Sequence, residues 1–181
     1  MAPKADLDLP FSCLFQTYKN DNPTPKPQLA LTFRGIQCPV DHYNTKGTLL
    51  SFAIADLLTI AFFFLLRPGE YTMPTARTKT RTVQFRRQDV RFFKNGTVLP
   101  HSTPLAELQT ADGVRLYLDN QKNSQRGSTM SHTAAAGDLC PVKALAHRVH
   151  LLYAVDPLDA ALPLSFVTIA SHVTSTHVTR A

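Results

Sequence analysis

The spacing of apolar residues divides the chain into helical stretches separated by a short β region. Residues 48–66 contain no Gly or Pro and are rich in Leu, Ala and Phe, which predicts a helix buried on most sides and ended by Pro68 and Gly69. A second helix is predicted from Pro141, a residue that suits the first turn of a helix. Its apolar residues recur at helical spacing and share one face: Val142, Leu145, Ala146, Val149 and Leu152. A loop over residues 156–164 then leads to a final short helix that begins near Val173.

Alternation with a period of two marks the β region. Val114, Leu116 and Leu118 alternate with Arg115, Tyr117 and Asp119, which is the pattern of a half-buried strand. Residues 127–133 are predicted to return beside that strand as an antiparallel hairpin.

Upstream of the hairpin, residues 82–85 and 89–93 are short β-prone runs, and Asn95-Gly96 is a turn signal. Together these patterns predict an α+β fold that is mostly helical, with a small antiparallel sheet of about three strands.

A proline-rich stretch suggests a boundary near the start of the chain. Residues 9–20 resemble the last helix of a preceding region, and residues 21–27 (DNPTPKP) carry prolines at alternate positions, which favours an extended linker. We therefore expect residues 1–27 to end one region and residues 28–181 to form most of another.

Composition narrows the functional classes. The 181 residues are 44% hydrophobic with a net charge of +6 and a pI near 9.4, which indicates a folded protein with a preference for polyanionic partners. Residues 49–66 are nearly long enough to span a membrane, but Asp56 lies near their middle, so a buried core helix is the better interpretation. Three widely spaced cysteines, Cys13, Cys38 and Cys140, are typical of reduced thiols in an intracellular protein.

Arg67 stands at the end of the apolar helix. Burying an unpaired charge is costly, so an arginine after AFFFLL implies a partner or a ligand. Its planar set of donors suits a phosphate, and Glu70 is placed to hold the guanidinium in position. A purely structural Arg67–Glu70 pair is the alternative.

A second group of cations lies in residues 77–94. Strand alternation there would present a positive face for phosphate contact, or simply a solvated surface. Its basic residues, with Asp89 as the one acid, are Arg77, Lys79, Arg81, Arg86, Arg87, Arg91 and Lys94.

The predicted hairpin tip contains Lys122 and Arg126. A lysine on a β-turn can reach a neighbouring groove and give its proton to a leaving alkoxide, although lysines are also common in ordinary turns. His147 and His150 have helical spacing, but no third ligand presents itself, so we predict no metal site.

Taken in order, these segments resemble the catalytic domain of tyrosine recombinases, the phage-integrase family, and in particular its eukaryotic mobile-element (Crypton-like) members. The residues that carry the resemblance are 56–72 (DLLTIAFFFLLRPGEYT), 116–127 (LYLDNQKNSQRG) and 139–152 (LCPVKALAHRVHLL). The resemblance covers roughly residues 10–181. It implies a helical DNA-binding region before the linker and a partial catalytic domain after it.

The resemblance also implies roles for single residues. Arg67 would grip the scissile phosphate, Glu70 would support the site, and Lys122 would act as general acid for the leaving oxygen. Additional DNA contacts would come from Arg77, Lys79, Arg81, Arg86, Arg87 and Arg126. The reaction needs no cofactor and no obligatory metal, and family members act as tetramers on duplex DNA, here in the nucleus.

The family pattern also requires a His-x-x-Arg pair and a tyrosine nucleophile near the C-terminus. His177 and Arg180 have that spacing, or else residues 173–181 begin an earlier helix that faces DNA. All five tyrosines lie upstream of the expected nucleophile position, so we expect this chain to lack part of the active site.

Three hypotheses follow from the sequence. The first is part of a recombinase that cuts and rejoins DNA; the second is a non-catalytic DNA-binding relic of a mobile-element integrase; the third is a membrane or scaffold protein built on the apolar helix.

Overall fold

The computed structural model describes residues 32–74, 84–118 and 127–179. The predicted helix over residues 9–20, the linker over 21–27 and the boundary near residue 28 lie outside the described residues. Within the described residues the elements are, in order, α1 Phe33–Thr45, α2 Leu49–Phe64, α3 Pro68–Tyr71, a 3-10 turn Arg87–Asp89, β1 Val90–Lys94, β2 Thr97–Leu99, α4 Leu105–Leu108, β3 Gly113–Leu118, β4 Ser128–Thr133, α5 Pro141–Val155, β5 Phe166–Thr168, β6 Ser171–His172 and α6 Ser175–Thr179.

The predicted apolar helix is confirmed as α2. Its start is fixed by a reciprocal cap, in which Thr48 Oγ1 accepts from the Ser51 amide at 3.1 Å and Ser51 Oγ accepts from the Thr48 amide at 3.0 Å. The helix ends at Phe64, before Pro68, because Leu65 adopts a left-handed conformation.

Helix α2 lies at the centre of the packing. It contacts α1 on one side and α5 on another, and α5 in turn packs on β1, β3 and β4. The predicted second helix is therefore confirmed as α5, whose residues Leu145, Ala146, Val149 and Leu152 are fully buried. Apolar residues on the inner face of the sheet, Val114, Leu116 and Leu118 among them, complete the core.

The main sheet is antiparallel with strand order β2-β1-β3-β4. The predicted hairpin is confirmed as β3 and β4, with Gly113 opposite Thr133 and Leu118 opposite Ser128. The Asn95-Gly96 turn joins β1 to β2, and both of its residues have positive φ, 49° and 76°, as a tight hairpin turn requires. The fold is α+β as predicted, with four strands in the main sheet instead of about three.

A second, two-stranded sheet of β5 and β6 lies between the predicted loop and the predicted final helix, in residues for which no strand was predicted. The final short helix exists, and it begins at Ser175. None of the helices in the described part of the chain is long and apolar enough to cross a membrane. Cys38 and Cys140 are free thiols, and Cys13 lies outside the described residues.

Candidate nucleic-acid interface

The turn that carries Arg67 begins with a strained residue. Leu65 has φ 52° and ψ 40°, and it is 82% exposed, so neither glycine nor burial explains the conformation. The amides of Leu65 and Leu66 both donate to the carbonyl of Ala61, which closes the end of α2. A left-handed conformation costs a non-glycine residue about 1–2 kcal/mol, and such residues cluster at functional sites.

The structure places the Arg67 side chain in solvent and corrects the predicted role of Glu70. The Glu70 carboxylate is buried and accepts the backbone amide of Arg67 at 2.8 Å, so it does not hold the guanidinium. Among the described residues, none forms a hydrogen bond or ion pair with the Arg67 guanidinium. The predicted contact between the two side chains is therefore wrong, and the structural link between Arg67 and Glu70, which was the alternative, runs through the Arg67 backbone amide.

Main-chain hydrogen bonds hold this turn against the rest of the molecule. The Glu70 carbonyl accepts from the amide of Phe85 at 2.9 Å, and the Phe85 carbonyl accepts from Leu164 at 2.8 Å. Beyond the turn, the Met73 amide donates to the carbonyl of Val173 at 2.8 Å. These bonds fix the backbone at Arg67 while leaving its side chain free to meet a ligand.

Arg148 supports the same region from inside the core. Only 1% of this residue is exposed, and its Nε and Nη2 donate to the Leu164 carbonyl at 3.0 Å and 2.8 Å. Nη2 also donates to the carbonyl of Phe166, so the guanidinium joins α5 to the segment that pairs with Phe85. Burial lowers the pKa of Arg148 to about 10, with the nearby Asp56 carboxylate acting in the opposite direction.

No role was predicted for Arg148 from the sequence. Its position beside Val149, on the apolar face of α5, could have indicated a structural role, because a charged residue buried there needs hydrogen-bond acceptors inside the protein.

Helix α6 lies beside the Arg67 turn. Met73 forms an isolated bridge with Thr174, and α6 contacts both α2 and α3. His177 Nδ1 accepts from the Thr174 amide at 3.1 Å, so this ring nitrogen serves the first turn of its own helix. Arg180, the other half of the candidate His-x-x-Arg pair, lies outside the described residues, and the question of that pair stays open.

The remaining predicted DNA contacts divide into three groups. The positions outside the described residues are Arg77, Lys79, Arg81, Lys122 and Arg126. Arg86 is described and forms an ion pair with Asp89 at 3.3 Å. Arg87 is 2% exposed, its Nη2 donates to the Pro157 carbonyl at 3.0 Å, and its guanidinium lies 5.2 Å from the Tyr153 ring centre.

The prediction of an exposed cation is therefore wrong for Arg87. The prediction assumed alternating strand positions, whereas residues 87–89 form a 3-10 turn that directs this side chain inward.

A cavity of about 510 Å³ lies among α1, α2 and α5, and Asp56 and His147 face each other in it at 3.2 Å. The hydrogen bond that His147 donates to the Asp56 carboxylate raises the pKa of His147, while burial raises the pKa of Asp56. The Gln109 side-chain nitrogen lies 2.6 Å from the other ring nitrogen of His147. His147 is thus engaged with a carboxylate and an amide, and no group of His, Cys, Asp or Glu among the described residues is arranged to hold a metal ion.

Comparison with protein-family models, with curated proteins and with solved structures gives no match for this chain. Function must therefore be inferred from the chemistry of its own residues.

Proposed function

We propose that this protein binds duplex DNA through the phosphate backbone, with Arg67 as the central contact, as part of a tyrosine-recombinase-like protein that cuts and rejoins DNA. One observation carries the proposal: the Arg67 guanidinium is exposed and has no partner among the described residues, while its backbone is fixed by Glu70. A guanidinium in that state is available to a phosphate, to which it can donate two parallel hydrogen bonds.

Further roles belong to the same proposal. Arg67 would neutralise charge on the scissile phosphate, and Glu70 would act as a positioning residue through the Arg67 amide. Lys122 would supply the proton for the leaving oxygen from the hairpin between β3 and β4. The two strands meet at the base of that hairpin, where the Gly127 amide donates to the Leu118 carbonyl at 3.0 Å.

The charge of the whole chain favours the same class of partner. A net charge of +6 attracts a polyanion and accelerates its association, whatever the sequence of bases. On this proposal the full protein would act in the nucleus as a tetramer on two DNA segments, without a cofactor.

A second candidate function, DNA binding without catalysis, is favoured by the surroundings of the described tyrosines. Tyr43 donates its hydroxyl to the His177 carbonyl, and Tyr71, which is close to Arg67 in sequence, is only 5% exposed. Tyr153 lies against the Arg87 guanidinium, and Tyr117 is on the outer face of β3. None of these four offers an exposed hydroxyl beside Arg67, and a covalent mechanism requires a nucleophile there.

The binding proposal is tested by measuring the affinity of the 181-residue chain for a labelled duplex by fluorescence anisotropy. Arg67→Ala should weaken binding about tenfold, since a charged hydrogen bond contributes roughly 1.5–3 kcal/mol. The control is Arg34→Ala, which removes an exposed arginine from α1 and should leave the affinity unchanged. Equal affinities for the wild type and Arg67→Ala would refute the proposed contact.

Catalysis is tested separately by incubating the chain with nicked duplexes and denaturing the products. The non-catalytic alternative predicts that no covalent protein–DNA adduct is retained. An adduct lost on substitution of one tyrosine would establish the recombinase chemistry and identify its nucleophile.

A further inference from the structure

The outer face of the main sheet is unlike the inner one. Strand alternation buries Val90, Phe92, Val114 and Leu116 against the helices, and it directs the intervening side chains to the other side of the sheet. The outer set is Arg91 and Phe93 on β1, Arg115 and Tyr117 on β3, and Thr129 and Ser131 on β4. This surface is both basic and aromatic, and the duplex contacts proposed above do not involve it.

Two arginines lie directly opposite each other on this face. Arg91 pairs in register with Arg115, which places their Cβ atoms about 4.5–5.5 Å apart. Like charges in this arrangement destabilise a sheet, so the pair needs compensation from outside. No carboxylate among the described residues forms an ion pair with either guanidinium.

The neighbouring acid does not supply that compensation. Asp89 accepts the backbone amide of Arg86 at 2.8 Å and the Nε of the same arginine at 3.3 Å, and it is only 6% exposed. Its negative charge is therefore already committed to Arg86, and the positive charge of the Arg91–Arg115 pair remains available to an anion.

Arg115 is held in position without being neutralised. Its guanidinium carbon lies 4.8 Å from the centre of the Phe93 ring, and its Nε donates to Ser131 Oγ at 3.2 Å. Both contacts orient the group, and neither carries negative charge. The remaining donors of the guanidinium are free to bind an oxyanion.

Tyr117 provides an aromatic surface beside the arginines. It is 41% exposed, and two shallow hollows of about 260 Å³ and 370 Å³ meet at Asp89, Arg91 and Tyr117. The hydroxyl of Tyr117 lies over Gly127, 3.6 Å from where a Cβ would be. An exposed ring beside paired guanidinium groups matches the two chemical parts of a nucleotide, a base that stacks and a phosphate that accepts hydrogen bonds.

We propose that the outer sheet face, defined by Arg91, Arg115 and Tyr117, binds single-stranded nucleic acid, with a phosphate between the arginines and a base on Tyr117. A single strand fits better than a duplex, because paired bases stay stacked inside the duplex and offer no ring to Tyr117. The face lies across the sheet from α5, so it is distinct from the Arg67 turn at the end of α2. This inference goes beyond the proposed duplex contact and does not rest on it.

The experiment measures the affinity of the 181-residue chain for three labelled probes at low salt. The probes are a twelve-nucleotide single-stranded DNA of mixed sequence, an abasic strand of equal length, and a duplex. Twelve nucleotides is about the length that one such surface covers. The variants are Arg91→Gln combined with Arg115→Gln, and Tyr117→Leu, with Arg34→Gln as the surface control. All of the substituted side chains are exposed, and removing the Arg91–Arg115 repulsion should not lower the melting temperature.

We expect the double arginine variant to bind both single-stranded probes at least tenfold more weakly, because two phosphate contacts are lost. Tyr117→Leu should weaken binding of the normal strand about fivefold or more and leave the abasic strand unaffected, because only the normal strand has a base to stack. Arg67→Ala should weaken duplex binding and leave binding of the single strand unchanged, so the two proposals can fail separately.

Three results would overturn the inference. Unchanged single-strand affinity in the double arginine variant would show that no phosphate binds between Arg91 and Arg115. Insensitivity of the normal strand to Tyr117→Leu would reduce the surface to a general polyanion contact. An equal loss of duplex and single-strand binding in the sheet-face variants would assign Arg91 and Arg115 to the duplex interface.

Discussion

At the scale of single residues, the Arg67 turn combines a free cation with a fixed main chain. Glu70 is 2% exposed and uses its carboxylate on the Arg67 amide, so backbone geometry is secured without use of the guanidinium. Leu65 adds a left-handed conformation immediately before the turn. Strain of this kind persists only where surrounding contacts determine the backbone, and the hydrogen bonds around Glu70 and Met73 do so.

The strain at Leu65 can be relieved by substitution. Leu65→Gly should stabilise the protein by about 1 kcal/mol, because glycine adopts positive φ without penalty and the leucine side chain buries little apolar surface. Urea denaturation of the two proteins measures the difference. A loss of stability greater than about 1 kcal/mol would mean that the exposed leucine makes a contact that outweighs the strain.

Arg148 is the residue on which the support of the turn most depends. Arg148→Ala should cost about 3–5 kcal/mol, because it leaves the carbonyls of Leu164 and Phe166 without donors in the core. Arg148→Lys should cost less than alanine but still more than about 1 kcal/mol, since one ammonium cannot reproduce the planar set of donors. Denaturation midpoints test both variants against Arg34→Ala, and a stability of Arg148→Ala close to that of this control would contradict the assignment.

The same residues show why part of the site could not be predicted from the sequence. The sequence showed Arg67 after a helix end and before a Pro-Gly turn, but the cost of burying its charge suggested a partner or a ligand, whereas the structure leaves its side chain exposed. The Glu70 carboxylate could reach either the guanidinium or the backbone amide of Arg67, and sequence spacing does not decide between them; the structure shows that it accepts from the amide. Arg148 lies on the apolar face of α5, but its role could not be predicted, because the sequence does not show that the carbonyls of Leu164 and Phe166 face it.

At the scale of elements, the helices and strands with a long, regular pattern of apolar residues could be predicted, and those without one could not. Helices α2 and α5 and the β3–β4 hairpin have long, regular patterns, and all three are confirmed. Helix α1 was not predicted, because its sequence contains Pro39, which is unfavourable inside a helix, and only Ile36 and Val40 are buried along it. The short β5–β6 pair contains a register irregularity and has no periodic signal long enough to detect.

The contact of Asp56 with His147 couples α2 to α5 and makes the stability of this pairing depend on pH. Asp56 raises the pKa of His147 above its ordinary value near 6.5, so protonated His147 stabilises the folded state. That contribution is fully present below about pH 6.5 and is lost as the pH rises through the pKa of the folded state. Its size should be about 1 kcal/mol or less, because the His147 side chain is 45% exposed.

Urea denaturation at several pH values from about pH 5.5 to about pH 9, for the wild type and His147→Gln, tests this coupling. The wild type should lose more stability than the variant as the pH rises, because glutamine does not titrate. Parallel pH profiles would show that the Asp56–His147 contact contributes no net stability in solution.

At the scale of the whole molecule, the basic residues have different environments and therefore different possible roles. Arg148 and Arg87 are internal donors, Arg86 is paired with Asp89, and Arg67 is exposed and available. The net charge of +6 could not predict these differences, because it counts buried, paired and exposed arginines equally. Two surfaces result, the Arg67 turn at the end of α2 and the outer sheet face, each with its own proposed partner.

The salt dependence of duplex binding by the wild type, Arg67→Ala and Arg34→Ala shows whether Arg67 contacts the phosphate backbone. Each phosphate neutralised by a cation releases counterions, so log K should fall linearly with log salt. We expect Arg67→Ala to lower the magnitude of this slope by about 1, uniformly for duplexes of different sequence, and Arg34→Ala to leave it unchanged. Identical slopes for the wild type and Arg67→Ala would show that Arg67 does not contact the DNA backbone.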